Sequence, residues 1–335
     1  MISKIITIES KVHIDIISEL NHNRLENIDN NRLLNDLTNQ FFNGFFMLRS
    51  NPGGNLTKDD VDAYVLFYNS YSSWQNRTIH LIDLWFRPTL NDSEKFSILK
   101  DLKSKLFEYA RENYLNRVNY HLVENEKNKK LISWIQHEKL GALNLSKLED
   151  WLIYEMDLEG MKNFISIDSK MPENYKIIKV DDINQFCMQI HDLIHEISIF
   201  EKMEDQFKLS VEGLTRDYNY LDEKKLNRFY ETMIVLNDKD EVVGYTIYYK
   251  IYELKRGVGC YLEDLYIQEK YRRKGLGGAL WKKLVKDCLE KFRANFMQWT
   301  VLAWNTPAID FYHKSGAKNL ENLSLFRFPT NKIYH

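Results

Sequence analysis

Between residues 186 and 197 the apolar side chains fall at Phe186, Ile190, Leu193, Ile194 and Ile197, with polar residues between them. That spacing lays one apolar stripe along a helix. Two other stretches, "YVLFYNSY" (64–71) and "YTIYYKIY" (245–252), alternate with period two and are rich in aromatic residues, as strands are. The same order of elements occurs twice. "KIITIESKVHIDIISEL" from Lys4 and "KIIKVDDINQFCMQIHDLIHEI" from Lys176 each predict strand, turn and helix. "IHLIDLWFRP" (79–88) is answered 181 residues later by "CYLEDLYIQE" (260–269), and "HEKLGA" (137–142) by "YHKSGA" (312–317), which matches Gly141 with Gly316. Two homologous halves account for this better than two unrelated α/β domains sharing common strand vocabulary. Each half then reads as strand, helix, mixed helix, three central strands, helix, strand, helix and a final strand. The predicted fold class is α/β, a mixed sheet in each half with helices on both faces. The softest stretch, "LEGMKNFISIDSKMPENY" (158–175), puts the boundary near residue 165, giving units 1–160 and 170–335.

Composition narrows the function. A chain of 335 residues has room for two domains, and 44% apolar residues suffice for two cores. A formal net charge of −2 argues against a general nucleic-acid binder. Cys187, Cys260 and Cys288 are few, odd in number and far apart, so neither a disulfide framework nor a zinc site is expected. No stretch approaches 18 apolar residues and "MISKIITIES" lacks a signal-peptide core. A cytoplasmic location is expected, without a membrane partner and without a metal.

The chemistry concentrates in "YLEDLYIQEKYRRKGLGGALWKKL" (261–284). A strand ends near Gln268, four cations follow within five residues, and a helix starts after three glycines, supported by the stripe Leu280, Leu284, Val285 and Cys288. Unpaired backbone N–H groups at a helix N-terminus attract phosphate. Gly275, Gly277 and Gly278 let the main chain approach closely, and Arg272, Arg273 and Lys274 add charge. Taken alone, such a turn is more often an ordinary helix start. Glu263 in mid-strand is either a paired charge or a working one. A carboxylate in so apolar a strand is costly to bury unpaired, which favours a site. By strand alternation Asp264 should point to the opposite face.

The pattern Arg-x-x-Gly-x-Gly after "YLEDLYI", then "MQWTVLAW" leading into "NTPAIDFYHKSGAKNL", resembles the GCN5-related N-acetyltransferases. Together with "LIHEISIFEKMEDQFKLSVEGLTRD" (193–217), residues 176–328 are similar to the diamine, or spermidine/spermine N1-, acetyltransferases. The resemblance implies a mostly antiparallel sheet, acetyl-CoA as the donor and a small primary amine as the acceptor. It implies that backbone groups of Leu265, Tyr266 and Ile267 meet the thioester and pantetheine arm. The pyrophosphate would sit on residues 272–278, Leu276 included, and Asn305, Thr306, Pro307 and Ala308 would lie further along the cofactor. Tyr312 would protonate the leaving thiolate, while Phe200, Glu201, Glu263 and Asp264 would meet the amine. Glu263 would take the proton that an ammonium group must lose before it attacks, since its pKa in water is about 10.4. The wider acidic cluster of Glu196, Glu201, Glu204 and Asp205 would draw in a cation. His313 reads as a surface residue.

Two features depart from that family. Lys255 and Arg256 stand where its members have a tryptophan, and "NLENLSLFRF" lacks their acidic–aromatic pair. A smaller diamine, a lysine-like amino acid or an arylalkylamine fits as well as a polyamine. In the first half Ile82 stands in place of the glutamate, "FRPTLNDSEKFSILKDL" has no glycine turn, and no tyrosine precedes Gly141. That half is expected to be a degenerate copy that takes a partner's place in a monomeric chain. Acetylation of a protein or amino acid, or non-catalytic sensing of acyl-CoA, are the alternative readings.

Overall fold

The computed structural model describes residues 4–22, 29–49, 54–167, 171–220 and 228–328. The first half runs β1 (Lys4–Thr7), α1 (Lys11–Asn21), α2 (Asn30–Thr38), β2 (Asn43–Leu48), β3 (Val61–Ser72), β4 (Asn76–Phe86), α3 (Asp92–Glu112), β5 (Val118–Val123), α4 (Lys129–Gln136), β6 (Leu143–Asn144), α5 (Leu145–Leu148), β7 (Trp151–Asp157) and α6 (Leu158–Ser166). The second runs β8 (Lys176–Lys179), α7 (Cys187–Phe200), α8 (Val211–Asn219), β9 (Glu231–Leu236), β10 (Val242–Glu253), β11 (Gly257–Ile267), α9 (Leu276–Asp287), β12 (Phe296–Leu302), α10 (Thr306–Lys314), β13 (Lys318–Asn319) and β14 (Leu323–Phe328). The predicted α/β class and the duplication are both present.

Two seven-stranded sheets result, ordered β1-β2-β3-β4-β5-β14-β6 and β8-β9-β10-β11-β12-β7-β13. Pairing is antiparallel except at β4–β5 and β11–β12, the two parallel contacts. The orders are related by exchange. Strand β7 leaves the first half and pairs with β12, Tyr154 opposite Trp299, while β14 crosses back to β5, with Phe326 opposite Tyr120. Helix α6 follows β7 into the second core, where Met161 is buried in the same cluster as Trp281. Residues 151–160, which the sequence reading gives to the first unit, therefore pair and pack with the second sheet, together with the rest of α6.

The halves share apolar contacts and polar links. Tyr71 packs on Tyr230 with ring centroids 4.4 Å apart, in a core cluster that includes residues of both halves. Arg77 Nε meets the fully buried Asp217 carboxylate at 2.7 Å, and the Tyr252 hydroxyl donates to Asp36 at 2.7 Å. Arg216 also holds the Asp217 carboxylate, with Nε at 2.8 Å, so the buried charge is compensated from both halves. Such links fix the orientation of one sheet on the other, and the site described next depends on it.

Candidate active site

The antiparallel register of β10 and β11 runs from Glu253 opposite Gly257 to Tyr248 opposite Leu262, then resumes with Ile247 opposite Asp264. Glu263 is the extra residue of a β-bulge. A bulge re-aims side chains and interrupts alternation. Glu263 and Asp264 consequently line the same cavity, and the opposite-face expectation for Asp264 is corrected. The parallel pairing of β11 with β12 also ends here, with Leu262 opposite Trp299. Beyond that point the two strands part, and the gap between them opens into a cavity of about 570 Å³. Leu265, Tyr266 and Ile267 form one wall, and Thr300 and Val301 the other.

At the far end β11 runs through a short turn into α9. Gly275 is the N-cap residue of that helix, at φ 85°, a left-handed conformation that favours glycine. Arg273, Leu276, Gly277 and Gly278 complete this wall. A Cβ on Gly277 would meet nothing closer than Ile267 at 4.0 Å, and one on Gly278 would meet nothing within 4 Å. The protein itself makes no demand for glycine at these two positions. A ligand lying against the first turn of α9 would, and the free N–H groups there suit a phosphate. Arg272 lines the cavity with its Nε on Ile267 O at 2.8 Å and its guanidinium over the Phe200 ring. Lys274 is outside the lining; its Nζ lies 3.2 Å from the Tyr175 hydroxyl.

Helix α10 closes the cavity. Its N-cap Asn305 accepts from Ala308 N, and Asn305, Pro307, Ala308, Phe311 and Tyr312 face inward, whereas Thr306 does not. Tyr312 is packed against Trp299 and Trp281, at 4.8 and 5.5 Å between ring centroids. No hydrogen bond to its hydroxyl is present among the described residues. Burial, with Glu201 and Asp264 nearby, raises its pKa and keeps the phenol protonated. His313 is exposed, with Nε2 3.0 Å from the Tyr154 hydroxyl, as the sequence suggests.

Three carboxyls share the space. Burial and the charges of Asp264 and Glu263 push Glu201 up to about 8. Burial and then Glu263 raise Asp264, which accepts from the Tyr245 hydroxyl at 3.0 Å. Burial raises Glu263 too, opposed chiefly by Arg117 and by the Ser73 N–H, which donates to Oε1 at 3.0 Å. A cationic ligand would relieve this crowding of acids. The acidic cluster read from sequence is otherwise dispersed. Glu196 accepts from Tyr266 and Gln268, Glu204 pairs with His195, and only Glu201 of the four reaches the cavity. Arg256 is held by both oxygens of Glu155 at 2.7 Å and by Glu253, so its charge is compensated and does not oppose a cation in the site. Lys255 lines a different cavity, between β4 and β10.

The first sheet repeats the frame with different side chains at the corresponding positions. Its bulge falls at Ile82, between Leu81 opposite Phe67 and Asp83 opposite Leu66. The Tyr64 hydroxyl donates to Asp83 at 2.5 Å, as Tyr245 does to Asp264, so this tyrosine–aspartate pair belongs to the fold in both halves. The N-terminus of α3 is filled by its own capping box: Asn91 accepts from Glu94 N at 3.0 Å while Glu94 accepts from Asn91 N at 2.8 Å. With Asp92 and Glu94 in its first turn, that helix repels phosphate. Between β4, α3 and α4 only about 30 Å³ remains, walled mainly by aliphatic side chains.

The Acetyltransferase (GNAT) family model matches residues 196–317. The thialysine N-epsilon-acetyltransferase of Sus scrofa is 36% identical over 152 residues, covering 42% of this chain and 86% of that protein. The spermidine/spermine N(1)-acetyltransferase-like protein 1 of Homo sapiens is 32% identical over 155 residues, covering 44% of this chain and 22% of that protein. A solved tandem GNAT protein from the clavulanic acid biosynthesis pathway superposes with a TM-score of 0.55 at 13% identity, over 97% of both chains, a likeness of fold. The chain belongs to the GNAT acetyltransferase family and is an N-acetyltransferase of tandem architecture. Among the described residues no cluster of His, Cys, Asp or Glu could hold a metal, and no helix is long and apolar enough to cross a membrane.

Sequence reasoning missed Ser73, Arg117 and Arg327, which act on Glu263 from the first sheet. No local pattern marks them, because the fold brings them in from the turn between β3 and β4, the residue before β5, and the exchanged β14.

Proposed function

We propose that the second-sheet cavity transfers an acetyl group from acetyl-CoA to the terminal amine of a small, cationic, diamine-like acceptor. The observation that supports this best is the convergence of three features on one cavity: a glycine turn at a helix N-terminus, a bulged glutamate, and the hydroxyl of a largely buried tyrosine. The thioester supplies the acetyl group. Arg272, Arg273 and the N–H groups after Gly275 hold the pyrophosphate, and Leu265, Tyr266 and Ile267 offer backbone groups to the pantetheine arm. Glu201 and Asp264 attract the ammonium form of the acceptor. Glu263 removes its proton, directly or across one water, and the freed nitrogen lone pair forms the new C–N bond. The nitrogen then releases its second proton to water as the C–S bond breaks, and Tyr312 gives its proton to the departing sulfur and is reprotonated from solvent. The products are the acetamide and free CoA thiol. The first half takes no chemical step of its own and occupies a partner subunit's place, so the chain works as a monomer.

The test is acetyl-CoA-dependent thiol release across putrescine, spermidine, lysine analogues and tyramine. Release with the flexible aliphatic amines and not with tyramine is expected. Release with none of them overturns the proposal.

A further inference from the structure

Glu263 sits on the second sheet, yet the groups that favour its charged form come from the first. The Ser73 N–H donates to it at 3.0 Å. Arg117 and Arg327 act on it electrostatically and oppose the effect of burial. Arg117 is only 8% exposed, and its Nε has no hydrogen-bond partner among the described residues. Arg327 donates from Nε to Asn119 Oδ1 at 3.3 Å, and burial followed by the charge of Arg117 brings its guanidinium down to about 9. A buried guanidinium such as that of Arg117, with the charge of Arg327 acting against it, is costly unless an anion repays it. Glu149 and Glu263 are the carboxylates that act on both.

The molecule contains its own control. Val118 pairs with Ile79 where Met297 pairs with Cys260, so Arg117 corresponds to Phe296. Asn119 pairs with Arg327 where Gln298 pairs with Glu155, so Arg327 corresponds to Glu155. Around the twin bulge the three positions are thus Ile82, Phe296 and a glutamate already neutralised by Arg256. Arginines needed for the architecture alone would be expected at both interfaces. They occur only where the bulge carries a carboxylate.

We propose that Arg117 and Arg327 are positioning residues that hold the Glu263 carboxylate ionised and in place across the interface between the sheets. The first sheet, silent in itself, then forms a working wall of the acetyl-transfer site. This rests on Glu263 being the base. The other groups facing Glu263 are Asp264 on the same bulge, Glu201 across the cavity, and the hydroxyls of Tyr71, Tyr249 and Tyr261. Each of these carries negative charge or none, and among the described residues Arg117 and Arg327 are the cations whose charge favours its ionised form most.

The experiment is the pH profile of kcat/KM for the full chain as wild type, Arg117→Met, Arg117→Lys, Arg327→Met and Glu263→Gln, with CoA affinity measured alongside. Removing a neighbouring arginine should move the acid limb to higher pH by about one unit, the low end of such charge effects. Arg117→Lys should return it toward wild type, with CoA affinity within about two-fold throughout, since no phosphate contact is touched. A uniform fall in kcat with the limb unmoved in both Met variants would overturn the inference. So would an unmoved limb with KM raised only for acceptors bearing a carboxylate, which would make the arginines substrate ligands. Glu263→Gln separates the two readings: a wild-type limb in that variant refutes Glu263 as the base, whatever the arginines do. Should Arg117→Met fail to fold, Arg327→Met and Arg117→Lys carry the same comparison.

Discussion

Replacing Gly277 and Gly278 together by alanine should stabilise the protein while weakening its hold on CoA. In the first turn of α9 the two new methyls meet nothing closer than 4.0 Å, so neither strains the fold. Exchanging glycine for alanine in a helix gains up to about 1 kcal/mol at each position. A total of about 1–2 kcal/mol corresponds to a rise in Tm on the order of 1–3 °C for a chain of this size. The methyls project into the space where the pyrophosphate would touch the main chain. Each charge-assisted hydrogen bond lost there removes about 1.5–3 kcal/mol, so affinity for CoA should drop at least ~10-fold. Differential scanning calorimetry and calorimetric titration with CoA read the two effects separately. A higher Tm with unchanged CoA affinity would refute the phosphate cradle, and a lower Tm would refute the steric reasoning.

Tyr312→Phe keeps the ring contacts with Trp299 and Trp281 and removes a hydroxyl that has no partner among the described residues. Turnover should fall about 10²-fold or more with Tm nearly unchanged, as stopped-time thiol assays and thermal melts would show. Glu201→Gln removes a carboxyl held up to about 8 by burial, then by Asp264 and Glu263. Because the folded state binds that proton more tightly than the unfolded chain does, wild-type stability falls as pH rises from the ordinary carboxyl range through about 8. The variant should therefore gain Tm relative to wild type at high pH and match it more closely at pH ~5, and an equal difference at both pH values would contradict this. A fragment beginning at residue 170 lacks β7, which pairs along the whole of β12, and leaves β14 without β5. It should aggregate or be inactive, and a monomeric, fully active fragment by light scattering and assay would contradict the role given to the first half.

Much of this could be read along the chain because the information was local. The glycine turn, the strand before it and the helix carrying Tyr312 each lie within one short stretch, and the strand–turn–helix order fixed what each could do. The repeat gave the two sheets for the same reason. Other features depended on distant pairing. Strand alternation put Asp264 on the wrong face because a bulge is set by how β10 meets β11 and leaves no mark in "YLEDLYI". The acidic cluster looked like one patch because four acids are near in sequence, yet the turn of α7 sends only Glu201 inward. The exchange of β7 and β14 is invisible to periodicity, since each strand reads the same whichever sheet receives it. Arg327 reaches Glu263 only through that exchange, and Arg117 only through the packing of one sheet on the other.

In the proposed reaction Glu263 and Tyr312 move the protons of acetyl transfer within a cavity that binds CoA independently of them. The most direct measurement is amine-dependent thiol release by the Glu263→Gln/Tyr312→Phe double variant, beside calorimetric titration of the same protein with CoA. One CoA bound per chain with near wild-type affinity, and release reduced to background at neutral pH, are expected. Wild-type release from that variant, or a second equivalent of CoA bound by the first half, would contradict the proposal.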